Sequence, residues 1–518
     1  MTSTAPIRRD TRSSGLRGNP TATLVSVAFG LFMVGLDATV VSIANPAIAA
    51  DLGTSFAELQ WITNVYLLGL AAFLILGGKI GDRFGRRRTY VFGVAAFALT
   101  SVAIGLVGST TGVIVFRALQ GASAAMLMPQ TLALLRSTFP RERFGMAVGV
   151  WGGVSSVAIA AGPIVGGALV ATLGWESIFY INAPIALIGV IFSALALKES
   201  TAERQQGRFD ILGVILLATG LASLIVAIVQ AEVWGWSSGL TIGAFVLGIV
   251  LLGLFVLTEW RTRNPLLPLT LFGSRGFSIG GLAIGTNFFT LLGVTFFLTL
   301  YLMNLRGIEG LTAGLMLLPL SGVSIIASPI AAVVVHKITA KWTMITGLLL
   351  IAVSFFSLVA TSVDSPYWGM VIPFVALSFG VGFTMTAGAD SIVGSAPVQY
   401  AGVAGGFQAT MLQLGGALGT AVFAAVVSSS VNSGTESIDL TAPDRGSLAQ
   451  GIVPAQLTGA DVVAAQDAFL NGFHNALVVG ATVAVVVAAL ALVFIRTRRH
   501  ASVKTVLEET VEGEAGHR

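Results

Sequence analysis

The chain has 518 residues, of which 55% are hydrophobic and only 10% charged, with 62 Gly and no Cys. A soluble domain carries about 25% charged residues, so water is not the main solvent of this chain, and a mean hydropathy of +0.89 agrees. The absence of Cys excludes disulfides and thiolate metal or redox centres, and four scattered His (His336, His474, His500, His517) give no metal-ligand spacing, so neither metal nor cofactor is expected.

A net charge of +4 and a pI near 9.6 would point a soluble chain toward nucleic acid. Here the basic residues sit in short segments between apolar runs, where they orient a membrane protein, and no nucleic-acid partner is expected. Arg8, Arg9, Arg12 and Arg17 precede the first apolar run, which contains Asp37 and is followed by no small-residue cleavage site. They read as a retained cytoplasmic tail, residues 1–21.

Apolar segments then follow at roughly 22–47, 57–78, 90–108, 111–136, 145–172, 178–197, 209–231, 238–258, 276–303, 311–336, 342–362, 367–393, 402–430 and 472–495. Each is about the 20 residues a membrane-spanning helix needs, which predicts an all-α membrane protein of fourteen helices. An even number of spans returns the C-terminal tail, residues 496–518, to the cytoplasm. Under that topology 25 of the 28 Lys and Arg residues fall in cytoplasmic segments, leaving Arg306 and Arg445 outside and Arg117 inside a span. A Ser/Thr/Gly/Asp-rich stretch, about 428–471, reads as an external loop, and Glu508–Glu514 as an acidic tail. Short links such as Gly108–Gly112 leave no room for a soluble catalytic domain, and no nucleophile and base converge, so any activity belongs to the helix bundle and an enzyme is not expected.

Within the spans, Asp37 lies near the middle of the first, where a charge costs about 2.5–3.5 kcal/mol on insertion scales, so it faces protein or a wet cavity. It is either a proton-exchanging acid or a carboxylate locked to a helix partner. Arg117 is the one base inside a span and the natural partner for it; Gln120, Gly121 and Ala124 share its helix face. The alternative is a structural arginine satisfied by backbone carbonyls. Asp390, near the cytoplasmic end of the twelfth span, is a second titratable site or a solvated helix-end residue. Gly145, Gly149, Gly153 and then Gly162, Pro163, Gly166 and Gly167 in the fifth span mark a hinge or a close helix contact. Nucleotide coupling is disfavoured because Gly78–Lys79 lacks the upstream Gly and following Ser/Thr of a phosphate loop, which leaves an ion gradient as the energy source.

Several of these segments resemble the major facilitator superfamily, specifically its fourteen-helix drug:proton antiporter branch. The loop Gly78-Lys-Ile-Gly-Asp82-Arg83-Phe-Gly85-Arg86-Arg-Arg88 is similar to the superfamily's signature between helices 2 and 3. The resemblance implies a conformational latch on Gly78, Asp82, Arg83, Gly85 and Arg86. Leu36 to Pro46 resembles the branch's first-helix motif with Asp37 as the proton-linked acid, although Ser42 and Asn45 depart from the usual Asn and Leu. Arg117-Ala-Leu-Gln120-Gly121 is similar to the fourth-helix proton-transfer motif. Gly162-Pro163-x-x-Gly166-Gly167 resembles the fifth-helix antiporter motif with Ala158 at an upstream Gly position, and Gly174 to Pro184 resembles an external loop of the branch, with Glu176 and Ser177 substituted.

The resemblance covers the whole chain. It implies a six-helix half at 22–197, two additional helices at 209–258 and a second six-helix half at 276–495, and a monomer that exports amphiphilic drugs or toxic small molecules in exchange for protons across the cell (inner) membrane. Candidates for lining a cavity between the halves, chosen for aromatic, Met or amide surfaces, are Met33, Trp61, Tyr66, Gln120, Trp151, Asn287, Phe288 and Gln413. Some branch members that handle dications carry further acids in the tenth or thirteenth span; these spans have none here, which implies neutral or monocationic substrates. Export of an endogenous lipid or a self-made antibiotic, or a membrane receptor that binds without transporting, are the rival readings.

Overall fold

A computed structural model of the chain describes residues 16–54, 56–200, 210–235, 237–262, 265–308 and 310–495. Arg8, Arg9, Arg12, Arg204, Arg208 and the acidic tail lie outside the described residues. Helices are the only regular structure among the described residues, as a chain in lipid requires, because a helix satisfies its backbone N–H and C=O groups within one segment. Thirteen of them are long and apolar enough to cross a membrane.

The chain folds as two compact units. One comprises residues up to Leu269 together with Ala396–Gln413, and the other Thr270–Ser395 together with Leu414 onward. The first unit contains α1 (Pro20–Leu52), α2 (Phe56–Phe84), α3 (Arg86–Leu106), α4 (Thr110–Thr138), α5 (Arg141–Leu173), the short α6 (Ser177–Tyr180), α7 (Asn182–Ala196), α8 (Ile211–Trp234) and α9 (Gly239–Arg261). The second contains α10 (Arg275–Leu300), α11 (Gly310–Met316), α12 (Leu318–Gly322), α13 (Ser324–Leu358), α14 (Tyr367–Ser395), α16 (Ala442–Ala449) and α17 (Ala460–Phe494). Helix α15 (Ala401–Gly434) begins in the first unit and continues in the second.

Local chemistry sets several helix ends. Asn19 caps α1, its side-chain oxygen accepting from Thr21 N at 2.9 Å and Ala22 N at 3.3 Å with Pro20 at the first helical position. Asp210 caps α8 by accepting from Gly213 N at 2.8 Å. In the first unit Val40, Val41, Ile62, Ile104, Val113, Trp175 and Phe179 form a buried apolar cluster beside the charged residues described below. The second unit is held by Phe297, Phe355, Phe374, Phe423, Phe469 and Phe473.

Two sequence expectations change. The tenth predicted span is irregular: α11, α12 and the start of α13 follow one another through turns at Leu317 and Val323, both of which keep right-handed helical angles, and the apolar stretch Ile326–Val335 is its longest piece. Pro319 and Gly322 lie in this stretch and weaken helix continuity. The chain then turns at Thr339, whose φ of +82° places a β-branched residue in the left-handed region, within the expected cytoplasmic link Lys337–Lys341. The expected loop at 428–471 is much shorter, because α15 continues to Gly434 and α17 starts at Ala460. Within what remains, Thr441 and Asp444 form a capping box that starts α16.

Candidate functional site: a buried ion pair and a helix-capping latch

The first unit brings Asp37 and Arg117 into direct contact inside the apolar cluster, with Arg117 Nη1 2.6 Å from Asp37 Oδ2 and both side chains at most 1% exposed. The fold achieves this through small residues: Gly121 on α4 abuts the Tyr66 carbonyl on α2, a contact that any Cβ would obstruct. Around the pair Gln120, Asn182 and Ser101 form a hydrogen-bonded network. Arg117 Nη1 also donates to Gln120 Oε1 at 2.6 Å, and its Nε to the Ile62 carbonyl at 3.2 Å. Gln120 Nε2 donates to Asp37 Oδ1 at 3.1 Å, and Asn182 Nδ2 reaches the same oxygen at 3.4 Å. Asn182 in turn donates to Ser101 Oγ at 2.9 Å, which donates to the Phe179 carbonyl. The Tyr66 ring lies under the guanidinium, 4.2 Å from Cζ to centroid, and its hydroxyl has no hydrogen-bond partner among the described residues.

This arrangement is a buried ion pair in which a carboxylate and a guanidinium balance each other's charge. Removing the Asp37 charge would leave Arg117 with the Gln120 and Ile62 oxygens, so the contact of α1 with α4 depends on this carboxylate. Motif resemblance identified Asp37, Arg117 and Gln120. It missed Asn182 and Ser101, and the available signal was the amide at the start of an apolar segment.

A second cluster sits at the C-terminal end of α2. Asp82 is buried and acts as an N-terminal cap for α15, its Oδ1 accepting from Gly402 N and its Oδ2 from Val403 N, both at 3.1 Å. Arg86 completes the pair through Nε and Nη2 at 2.9 and 2.7 Å from Asp82 Oδ1, and its Nη2 also donates to the Val398 carbonyl. Gly78 packs directly on Gly402, where a Cβ would strike the carbonyl. Gly85, at φ +114°, makes the turn into α3. Glu199 accepts from Arg87 N and Arg88 N at the start of α3, a cap the motif did not point to. Arg83 lies exposed with its guanidinium 5.6 Å from the Phe84 ring centroid; the buried ion pair is made by Arg86.

In α5 the Gly162–Gly167 segment runs within an unbroken helix against α1. Gly162 abuts Thr39 and Gly166 abuts Val40, while a Cβ on Gly167 would meet nothing; the Pro163 side chain lies outside the described residues. Of the other candidates, Met33, Tyr66, Gln120 and Trp151 are buried in the first unit, where Trp151 donates to Thr131 Oγ1 at 3.0 Å, and Trp61 is half-buried. Gln413 is half-buried at the last position of that unit. In the second unit Phe288 and Asp390 are half-buried, and the fully buried Asn287 amide has neither side-chain atom paired among the described residues.

Apolar helices around a buried acid–base pair, with small residues at their crossings, define a polytopic helical membrane protein. The chain belongs to the Major Facilitator Superfamily, whose family model matches residues 27–420. It is 39% identical over 499 residues to the Tetracenomycin C resistance and export protein of Streptomyces glaucescens, covering 93% of each chain. It is 32% identical over 507 residues to the multidrug efflux pump LfrA of Mycolicibacterium smegmatis, covering 94% of this chain and all of that one. The fold also matches the human organic anion transporter MFSD10 with a TM-score of 0.61 at 14% identity, over 91% of this chain and 99% of that one. The protein is thus a multi-pass membrane transporter of small molecules with the major facilitator fold.

Proposed function

We propose that this transporter exports amphiphilic drugs or toxic small molecules in exchange for protons, by alternating access. The observation that carries the proposal is the buried Asp37–Arg117 pair. Efflux is supported by the names of the relatives, which are resistance, export and efflux proteins.

In this reading Asp37 carries the proton, Arg117 holds its ionised form, and Gln120 shares the contact. Protonation weakens the pair and releases α4 from α1, while substrate binding competes for the same change. Asp390 is the second candidate for carrying a proton. The latch of Gly78, Asp82, Arg83, Gly85 and Arg86 caps α15 in one state and lets it go in the other, with the Gly162–Gly167 segment of α5 keeping α1 close. Met33, Trp61, Tyr66, Trp151, Asn287, Phe288 and Gln413 remain the candidates for substrate contact. No cofactor is needed, since the proton gradient supplies the energy. The protein acts as a monomer among lipids in the cell (inner) membrane, with both termini cytoplasmic, as two six-helix halves at 22–197 and 276–495 around the additional pair at 209–258.

The name of the 39%-identical relative favours a narrower second reading, a dedicated exporter of one antibiotic. Reconstituted flux against a panel of amphiphiles, with and without an imposed pH gradient, tests both. Gradient-driven export of several unrelated compounds supports the broad reading and export of one compound the narrow one. Binding without transport under any gradient overturns both.

A further inference from the structure

The additional pair, α8 and α9, reaches α2 at the end that carries Asp82. Glu259, in the last turn of α9, is only 3% exposed, and both its carboxyl oxygens take backbone amides, Oε1 accepting from Leu266 N at 3.0 Å and Oε2 from Leu267 N at 3.2 Å. The segment after α9 is held next to α2 in turn, because the buried Lys79, beside Gly78 of the latch, donates to the Pro265 carbonyl at 2.9 Å. Asp210 caps α8 through Oδ1, while its Oδ2 is buried without a partner among the described residues.

The two carboxyls converge at Gly213. A Cβ there would stand 2.7 Å from Asp210 Oδ2 and 2.7 Å from Glu259 Oε1, so only a glycine leaves these oxygens room, and the two side chains lie within hydrogen-bonding reach. Neither forms an ion pair among the described residues. The charged group of α2 that faces both is Lys79, with Asp82 and Arg83 beyond it, and Arg261 on α9 is exposed. Asp82 is matched by Arg86, which leaves one ammonium against two carboxyls. Two buried carboxylates at this separation repel strongly; one proton between them removes the repulsion and gives the unpartnered oxygen its hydrogen bond.

We infer that Asp210 and Glu259 share one proton, which makes the junction of α8 and α9 a proton-binding site separate from the Asp37 pair. Asp210 is the half-buried partner and connects the site to water. Because the two residues stand at the first turn of α8 and the last turn of α9, the proton enters and leaves at one membrane face and draws no work from the gradient. It acts as a fastening: closed while the proton is held, and opened as pH rises and the two carboxylates push apart, with Asp210 turning to water and Gly213 N losing its acceptor. The inference does not rest on the export reading.

The test uses infrared difference spectra of the full-length protein in nanodiscs, recorded over about pH 6–9, above the ordinary carboxylate range. One carboxylic-acid C=O band should disappear as pH rises, be absent in both Asp210→Asn and Glu259→Gln, and persist in Asp37→Asn. Hydrogen exchange of the first-turn amides of α8, corrected for its intrinsic pH dependence, should quicken about tenfold through the same titration, the factor for about 1.4 kcal/mol. Asp210→Asn keeps an accepting oxygen for Gly213 N and offers an NH2 to Glu259 Oε1, so it should hold these amides slow throughout, which excludes misfolding as the cause of the lost band. The inference is overturned if no such band titrates, if the band survives in both variants, or if exchange at the start of α8 matches that of Asp210→Asn at every pH. A band lost in only one of the two variants assigns the proton to that residue alone and overturns the sharing.

Discussion

Arg117 donates to three oxygens, through Nη1 to Asp37 and Gln120 and through Nε to the Ile62 carbonyl, while its face rests on Tyr66. A planar guanidinium suits that geometry and an ammonium does not. Asp37→Asn leaves this cation buried with neutral partners only, and removing one member of a buried pair costs about 3–5 kcal/mol. The variant should therefore express with a lowered melting temperature, bind substrate and lose pH-gradient-driven export. Combining it with Arg117→Gln should restore much of the melting temperature without restoring coupling, an interaction that thermal melting and flux on the four-member cycle measure together. Wild-type coupling in Asp37→Asn would remove the residue from the proton path. The pair was legible in the sequence because a charge inside an apolar span is conspicuous. Asn182 and Ser101, which complete the network, are uncharged, and their roles appear only once α3 and α7 pack together.

Among the elements, the capped N-terminus of α15 has the clearest consequences. Asp82 supplies acceptors to two backbone amides and to Arg86. Asp82→Asn would turn an NH2 group toward one of those donors, at about 1–3 kcal/mol. Transport should fall about tenfold, the factor for about 1.4 kcal/mol, with substrate affinity retained; Gly78→Val should do the same by pushing Gly402 away. Normal flux in both variants would dissociate this contact from the transport cycle. The loop signature was readable as a motif, but its partners lie more than 300 residues away in the chain, and only folding supplies them. The boundaries of α15 and α17 were hidden for another reason. Their Ser, Thr, Asn and Asp residues resemble a loop in composition, yet Phe469, Leu470 and Phe473 bind the early turns of α17 to the core of the second unit. Between these helices Thr441 Oγ1 donates to Asp444 Oδ2 at 2.6 Å and holds that carboxyl below its usual range. A depressed folded-state value means that this stabilisation is present above the unfolded carboxylate range and lost only as pH falls through the lower folded value. Hydrogen exchange of the α16 amides should therefore, once corrected for its intrinsic pH dependence, stay flat between about pH 5 and 8, with Asp444→Asn faster throughout.

At the scale of the whole molecule, the number of protons moved per cycle fixes how far export can be driven. Among the described residues Asp37 is the acid locked in the buried network, while Asp390 is half-buried in the second unit. One proton per substrate converts each unit of pH difference into about 1.36 kcal/mol, a tenfold accumulation ratio; two would give a hundredfold ratio. A monocation leaving as one proton enters moves no net charge, so its steady-state gradient should follow the pH difference and ignore an imposed membrane potential. A neutral substrate should respond to both, at about 2.3 kcal/mol per 100 mV for the proton's charge. We expect the tenfold ratio in proteoliposomes, unchanged in Asp390→Asn and abolished in Asp37→Asn. A hundredfold ratio that drops to tenfold in Asp390→Asn would instead assign two protons to the cycle, with Asp390 carrying the second. A monocation gradient that shifts with potential at constant pH would show that the exchange is not one for one.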